Sequence, residues 1–317
     1  MENKLLLSVS PHIRSSRTTQ NVMLDVIIAL IPALIASTVL FGFRALLLTV
    51  ISAAACVLLE FGYEKLMKKP VTVSDLSAVV TGILLAFNVP AGMPVWMLLI
   101  GDVAAIILAK QLFGGLGCNF MNPALVGRIV LMFSFTTAMT TYTVPAGAVD
   151  VLSSATPLVV MGNVGWNEFL QLFLGVHGGV IGETCGLALI LGGIYLCIRK
   201  VIKPIIPLCY IASCCLFSFL FGGTQPVLSI FAGGLLLGAI FMATDYVTSP
   251  ITNWGKVVFG VFCGFVTAVI RVFGNYAEGV TFSIILANLL VPYINELTAK
   301  KPLGAIAPEK KKKEEKA

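Results

Sequence analysis

Apolar runs of about twenty residues recur along the whole chain, and that is the length an α-helix needs to cross a bilayer. Ten such runs are expected, at roughly 22–41, 45–63, 76–89, 94–110, 122–138, 180–198, 204–221, 226–243, 256–271 and 280–298. Inside lipid every backbone N–H and C=O needs a partner within the protein, so segments of this length must be helical. The fold class expected is therefore an all-α polytopic membrane protein. Hydrophobic residues make up 58% of the 317 and charged residues 11%. Soluble domains average about 45–50% and about 25%. Segments three and four are short and interrupted by Pro90 and Pro94. Such breaks are tolerated where neighbouring helices satisfy the freed backbone.

The net charge of +6 is distributed as orientation signal, not as a nucleic-acid surface. With the N-terminus inside, the inner loops carry Lys4, Arg14, Arg17, Lys65, Lys68, Lys69, Lys110, Arg199, Lys200, Lys203, Lys256, Lys300, Lys301 and the lysines of the tail. The outer loops carry only Arg44 and Arg271. An even number of spans places both termini in the cytoplasm. Residues 1–21 show no cleavable signal pattern, so the first run is expected to stay as a transmembrane helix.

The organisation expected is an N-terminal half over 1–138, an outer loop over 139–179, a C-terminal half over 180–299 and a basic cytoplasmic tail over 300–317. The outer loop is polar, rich in Thr, Gly and Asn, and far longer than the others; loops of that length in compact proteins are functional or disordered. GILLAFNVPAGMP from Gly82 to Pro94 is matched by GAIFMATDYVTSP from Gly238 to Pro250. FGGLGCN from Phe113 is matched by FGNYAEG from Phe273. Members of each pair fall on opposite sides of the membrane, the signature of two five-helix repeats of inverted topology.

Candidate chemistry is sparse. The eight cysteines include no C-x-x-C pair and form neither a zinc nor an iron–sulfur ligand set. His12 and His177 fall on opposite sides of the membrane, which argues against a metal pair or a histidine dyad. Trp96, Trp166 and Trp254 suit interfacial anchors. Ionisable residues inside spans are functional candidates by default. Asp25, Asp102 and Asp245 qualify, with Glu183 and Glu278 near outer ends. Asp245 lies in ATDYVTSP among hydroxyls and carbonyls that could hold a hard cation such as sodium, or it is a capping carboxylate or a partner of Lys256 or Arg128. In KQLFGGLGCNFMNPALVGR, Gly114, Gly115 and Gly117 let the backbone approach a flat ligand. Asn119 and Asn122 offer amides that suit the edge of an isoalloxazine ring. Asn122 precedes Pro123, so it also reads as a helix N-cap.

The loop segment Asp150-Val151-Leu152-Ser153-Ser154-Ala155-Thr156 is on its own an ordinary polar stretch. It resembles the D-x-x-[S/T]-G-A-T flavinylation motif of the D subunit of the Rnf complex and of the related B subunit of the sodium-pumping NADH:quinone oxidoreductase. SPHIRSSRTTQNVMLDVIIALIPA, KQLFGGLGCNFMNPALVGR, GVIGETCGLALILGG and FMATDYVTSP resemble further blocks of that family, in order along the chain. The resemblance implies flavin mononucleotide (FMN) joined through its phosphate to Thr156 by a separate flavin transferase, with Asp150, Ser153 and Ala155 in the recognition sequence. Ser154 stands where the family has Gly. It further implies non-covalent riboflavin near Asn119 and Asn122, other membrane and peripheral Rnf subunits as partners, and a bacterial or archaeal cytoplasmic membrane. The function implied is electron carriage within an ion-translocating ferredoxin:NAD oxidoreductase. Topology and buried carboxylates alone fit a secondary transporter or channel without redox cofactor equally well.

Overall fold

The computed structural model describes residues 17–142, 166–221, 230–231, 233–274 and 279–299. Among these residues the regular structure is helical apart from one isolated bridge at Gly179. Helix α1 (Thr19–Phe41) starts where the Thr18 hydroxyl accepts from the Asn21 N–H at 3.3 Å, an N-cap that satisfies one orphan donor of the first turn. Gly42 at φ 78° turns the chain into α2 (Phe43–Leu66). A 3₁₀ turn at Val73–Asp75 leads to α3 (Ser77–Phe87), whose first N–H is bonded to the Asp75 carboxylate at 2.8 Å. The loop Asn88–Pro94 follows, and α4 (Val95–Val103) runs without a break into a π-helical segment, Ala104–Gln111. Then come α5 (Pro123–Ser134) and the short α6 (Thr136–Thr140).

The second half holds α7 (Trp166–Leu174), α8 (Gly186–Ile198), α9 (Ile205–Leu220) and α10 (Leu235–Leu237). A second π segment, Gly238–Met242, continues α10, and α11 (Asn253–Phe273) and α12 (Gly279–Thr298) complete the set. Among the described residues four helices, α1, α2, α11 and α12, are long and apolar enough to cross a membrane, and α3, α5, α8 and α9 are shorter apolar helices. Their outward faces remain greasy: Val39, Leu58, Phe133, Ile198, Phe219 and Leu297 are all more than two-thirds exposed. In water that would be an aggregation liability; against lipid it costs nothing.

Two differences from the expected layout stand out. Residues 166–174, expected within the outer loop, form a helix. Leu172 on it is fully buried, and Phe169 and Phe173 pack edge-on against Phe231. The span expected from 180 begins only at Gly186. Residues before it run alongside the end of α3, with Ile181 N–H bonded to Val89 O at 3.1 Å and Gly182 N–H to Phe87 O at 2.9 Å.

Small residues bring the helix axes together. A Cβ on Gly82 would lie 2.7 Å from the Ser52 carbonyl oxygen, and one on Gly264 would lie 2.7 Å from the Cys214 amide nitrogen. Neither site has room for alanine, so α2 meets α3 and α9 meets α11 at backbone distance. Close approach through small residues is how helices gain packing energy where lipid offers no hydrophobic drive. Helices α1 and α8 join the halves. Asp25 on α1 is bonded by Arg199 Nε and Nη2 at 3.2 Å and by the Tyr195 hydroxyl at 3.1 Å. Asp25 is thereby spent on an ion pair at a helix end.

Candidate functional site: a polar pocket where two π segments end

Each π segment terminates at the same place. Leu112 N–H bonds to Ile107 O at 3.0 Å and Ala243 N–H to Gly238 O at 2.7 Å, both i→i+5 bonds. Single π turns recur at functional sites because they shift the side chains that follow out of α phase. Between the two ends lies a pocket of about 70 Å³ lined by Ser77, Thr81, Lys110, Asn119, Asn122 and Asp245, with Met23, Leu84, Leu116 and Phe241 as apolar wall. The structure therefore brings Asn119 and Asn122 together with Asp245, more than a hundred residues further along the sequence, at one cavity.

Asn122 is the N-cap of α5: its Oδ1 accepts from Ala124 N–H at 3.1 Å. Its Nδ2 donates to Met242 O at 3.2 Å, which ties α5 to the second π segment. The Asn288 amide completes the knot in the orientation that satisfies both its ends. It donates to Thr248 O at 3.1 Å and accepts from Asn122 N–H at 3.3 Å. Above them Arg128 Nη1 donates to Asn88 Oδ1 at 2.7 Å, and Asn88 Nδ2 donates to Leu84 O at 2.6 Å. Asp245 accepts from Thr248 Oγ1 at 3.1 Å, from the Tyr246 and Val247 N–H groups and from the Asn119 side chain. It is a carboxylate held by donors of the turn that follows the second π segment and by Asn119. Asn119 Nδ2 also donates to Met121 O at 3.1 Å.

Gly115 and Gly117 have φ of 91° and 89°, the left-handed region glycine adopts without strain, and a Cβ on Gly117 would meet nothing within 4 Å. The loop is open on its outer side, where Leu112, Phe113, Leu116 and Phe120 are between 37% and 59% exposed. The pocket itself has room for about one or two waters, not for an isoalloxazine ring. Both asparagine amides are already engaged, Asn119 by Met121 O and Asp245, Asn122 by Ala124 N–H and Met242 O. The residues therefore do not enclose a riboflavin as they stand, and no step is derived through one.

A second cavity, of about 710 Å³, lies at the other end of the same helices, lined by Gly92, Met93, Met97, Phe135, Thr136, Thr137 and Thr141 among others. That volume is in the range of small-molecule and cofactor sites. Nearby, His177 is buried, which pushes its imidazole below the usual range, and its Nδ1 sits 3.1 Å from Gly178 O. Asp150, Ser153, Ala155 and Thr156 lie outside the described residues, as do His12 and Glu278. Among the described residues no group of three His, Cys, Asp or Glu side chains could hold a metal ion.

Read from sequence alone, Lys110 is a loop lysine, and Glu60 and Glu64 draw no notice. The structure buries all three, at 2%, 0% and 2% exposure. Lys110 Nζ lies 2.6 Å from Glu60 Oε1 and donates to Ser77 Oγ at 2.6 Å. The signal that could have found them is a four-residue spacing: Ser52, Cys56, Glu60 and Glu64 occupy one face of α2.

A family described as NQR2, RnfD, RnfE matches residues 6–304. The D subunit of the Na(+)-translocating ferredoxin:NAD(+) oxidoreductase complex of Acetobacterium woodii is 44% identical, over 100% of this chain and 99% of that protein. The D subunit of the proton-translocating ferredoxin:NAD(+) oxidoreductase complex of Clostridium ljungdahlii is 39% identical over 94% of this chain and 95% of its own length. The D subunit of the ion-translocating oxidoreductase complex of Actinobacillus succinogenes is 36% identical over 94% and 97%. Matched from end to end by relatives at this identity, the chain belongs to the NQR2, RnfD, RnfE family.

Proposed function

We propose that this chain is a membrane-embedded electron-carrier subunit of an Rnf-type complex that couples ferredoxin oxidation and NAD reduction to ion export. The observation that carries the reading is the match to three D subunits over 94–100% of the chain together with the DVLSSAT segment at Asp150–Thr156. Ten helices in two inverted five-helix repeats, both termini inside and the 139–179 segment outside, form the frame. Thr156 carries FMN through a phosphoester that a separate flavin transferase makes, with Asp150, Ser153 and Ala155 read by that enzyme. A flavin accepts and releases electrons singly or in pairs; the protein supplies position, polarity and insulation.

Support also comes from where the cavities lie. The 710 Å³ cavity adjoins the C-terminal end of α5 and the small polar pocket adjoins its N-terminal end. Twelve residues at 1.5 Å each separate those ends by about 18 Å. Met93, Met97 and Phe135 give the larger cavity an apolar wall, and Thr136, Thr137 and Thr141 give it a polar rim suited to a flavin brought by the neighbouring loop. A second, non-covalent flavin near Asn119 and Asn122 would lie against the exposed rim of Leu112, Phe113, Leu116 and Phe120, covered there by a neighbouring chain of the complex. Asp245 is the pocket's carboxylate, to which a hard cation such as sodium would be drawn. One relative is named for sodium and another for protons.

The test is flavin fluorescence of the denatured band in a gel, for wild type and Thr156→Ala, each made with the flavin transferase. A fluorescent wild-type band that is dark in the variant is expected. A dark wild-type band, beside a control substrate on which the transferase is active, overturns the reading and favours a transporter without redox cofactor.

A further inference from the structure

The face of α2 that carries Ser52, Cys56, Glu60 and Glu64 packs against α4 and its π extension, which present Asp102, Lys110 and Gln111. All seven residues are 2% exposed or less. The contacts form a ladder. Thr72 N–H and Oγ1 bond to Glu64, and Gln111 Nε2 lies 3.5 Å from Glu64 Oε1 and 2.7 Å from Glu60 Oε1. Lys110 pairs with Glu60. Deeper in, Asp102 Oδ1 accepts from Ser52 Oγ at 2.6 Å and from Cys56 Sγ at 3.4 Å. The ladder starts at the polar pocket, because Lys110 and Ser77 line it. It ends about 12 Å further along the helix, eight residues back at Asp102.

Charge does not balance along this seam. Glu60, Glu64 and Asp102 are three buried carboxyls, and among the described residues Lys110 is the one buried ammonium facing them. Glu64 sits at the mouth among three donors. Asp102 has only the neutral Ser52 and Cys56 as partners, and no Lys or Arg side chain pairs with it among the described residues. Its Oδ2 is buried with no partner among those residues, and so is Oε2 of Glu60. An ionised carboxylate left so in an apolar interior costs several kcal/mol or more, and the group takes up a positive charge instead. From α2 the titratable group in contact with it is Cys56, with Glu60 one turn further along the same face; Lys110 of the π extension is paired with that Glu60. α3 contributes the Gly82 carbonyl that Ser52 also bonds at 2.9 Å, and on α5 the charged group is Arg128, engaged with Asn88.

We propose that Asp102 is a proton-binding carboxyl inside the membrane, loaded from the polar pocket through Lys110 and Glu60. The proton sits on the carboxyl of Asp102 while Cys56 donates to Oδ1 and the one Ser52 hydroxyl proton is shared between that oxygen and the Gly82 carbonyl. Glu60, with one oxygen held by Lys110 and Gln111 and the other free, is the relay between pocket and site. The site is separate from Asp245 and stands whether or not the chain carries a flavin.

Infrared spectroscopy of the full complex in liposomes tests this. The expected result is a protonated-carboxyl C=O band that shifts in D₂O and is lost entirely in Asp102→Asn, an isostere of the protonated acid that leaves assembly intact. In Glu60→Gln the band persists, but its exchange with D₂O slows about tenfold, or ~1.4 kcal/mol on the barrier. If Asp102→Asn does not assemble, carbodiimide labelling of wild type reads the same property: an adduct on Asp102, found by peptide mass, that declines as pH rises. Absence of both band and adduct at acidic, neutral and alkaline pH overturns the proposal. So does loss of the band on adding NaCl at fixed pH, which would make the occupant sodium.

Discussion

Two buried polar interfaces, one in each half of the chain, use opposite chemistry. Between α9, α11 and α12 the polar groups are neutral hydroxyls. Tyr210 OH lies 2.8 Å from Thr267 Oγ1 and 2.7 Å from Ser283 Oγ, and Thr267 and Ser283 are 2.7 Å apart. Each hydroxyl in that triad has partners, and no charge enters it. Between α2 and α4 the polar groups are ionisable, unequal in sign and incompletely partnered. Satisfied hydroxyls hold helices together at modest gain, whereas intramembrane carboxyls are costly and persist where they do something. The C-terminal interface is glue; the N-terminal one is machinery.

The contrast can be broken most forcefully at Lys110. Lys110→Met strands Glu60 in an apolar seam, and the expected loss is about 3–5 kcal/mol, read as a drop in thermal unfolding midpoint of the purified complex. Adding Glu60→Gln to that variant should recover much of the loss; if it does not, the pairing is not what stabilises this interface. The same measurement at the glue interface should give far less. Tyr210→Phe removes one hydroxyl but leaves Thr267 and Ser283 bonded to each other, so about 0.6 kcal/mol is expected. A loss as large as that of Lys110→Met would erase the distinction. Smallest of all should be Arg199→Gln. Arg199 is half exposed and solvent screens its pair with the buried Asp25, so the unfolding midpoint should move less than that of Tyr210→Phe.

Much of the helical layout is legible in the sequence because lipid imposes a length and an apolar face, and both are written in composition. Asp102 and Asp245 are legible as outliers within apolar runs. The α7 helix is not, because its residues sit in a long polar segment and its apolar spacing is short. Lys110 reads wrongly as a loop lysine because a charge at the end of a run looks solvated until a partner is known. Glu60 supplies that partner from a helix fifty residues earlier. The Asn122 cap is readable from Asn-Pro, but its bond to Met242 is not, since nothing local links positions 120 residues apart. The two π segments leave no trace in the apolar pattern, because their extra residue per turn is absorbed in stretches apolar on every side.

That extra residue sets a phase. Had Ala104–Gln111 continued as ordinary α-helix, each turn would close after 3.6 residues, and Lys110 and Gln111 would be rotated relative to Asp102. One residue is about 100° of rotation, enough to carry an ammonium from a protein interface out to lipid. The segment acts as a vernier between two scales, letting one helix aim Asp102 and Lys110 at the same stripe of α2. Any event that slid this segment between π and α register would therefore swing Lys110 away from Glu60 without moving Asp102, opening the mouth of the seam while its inner end stays fixed.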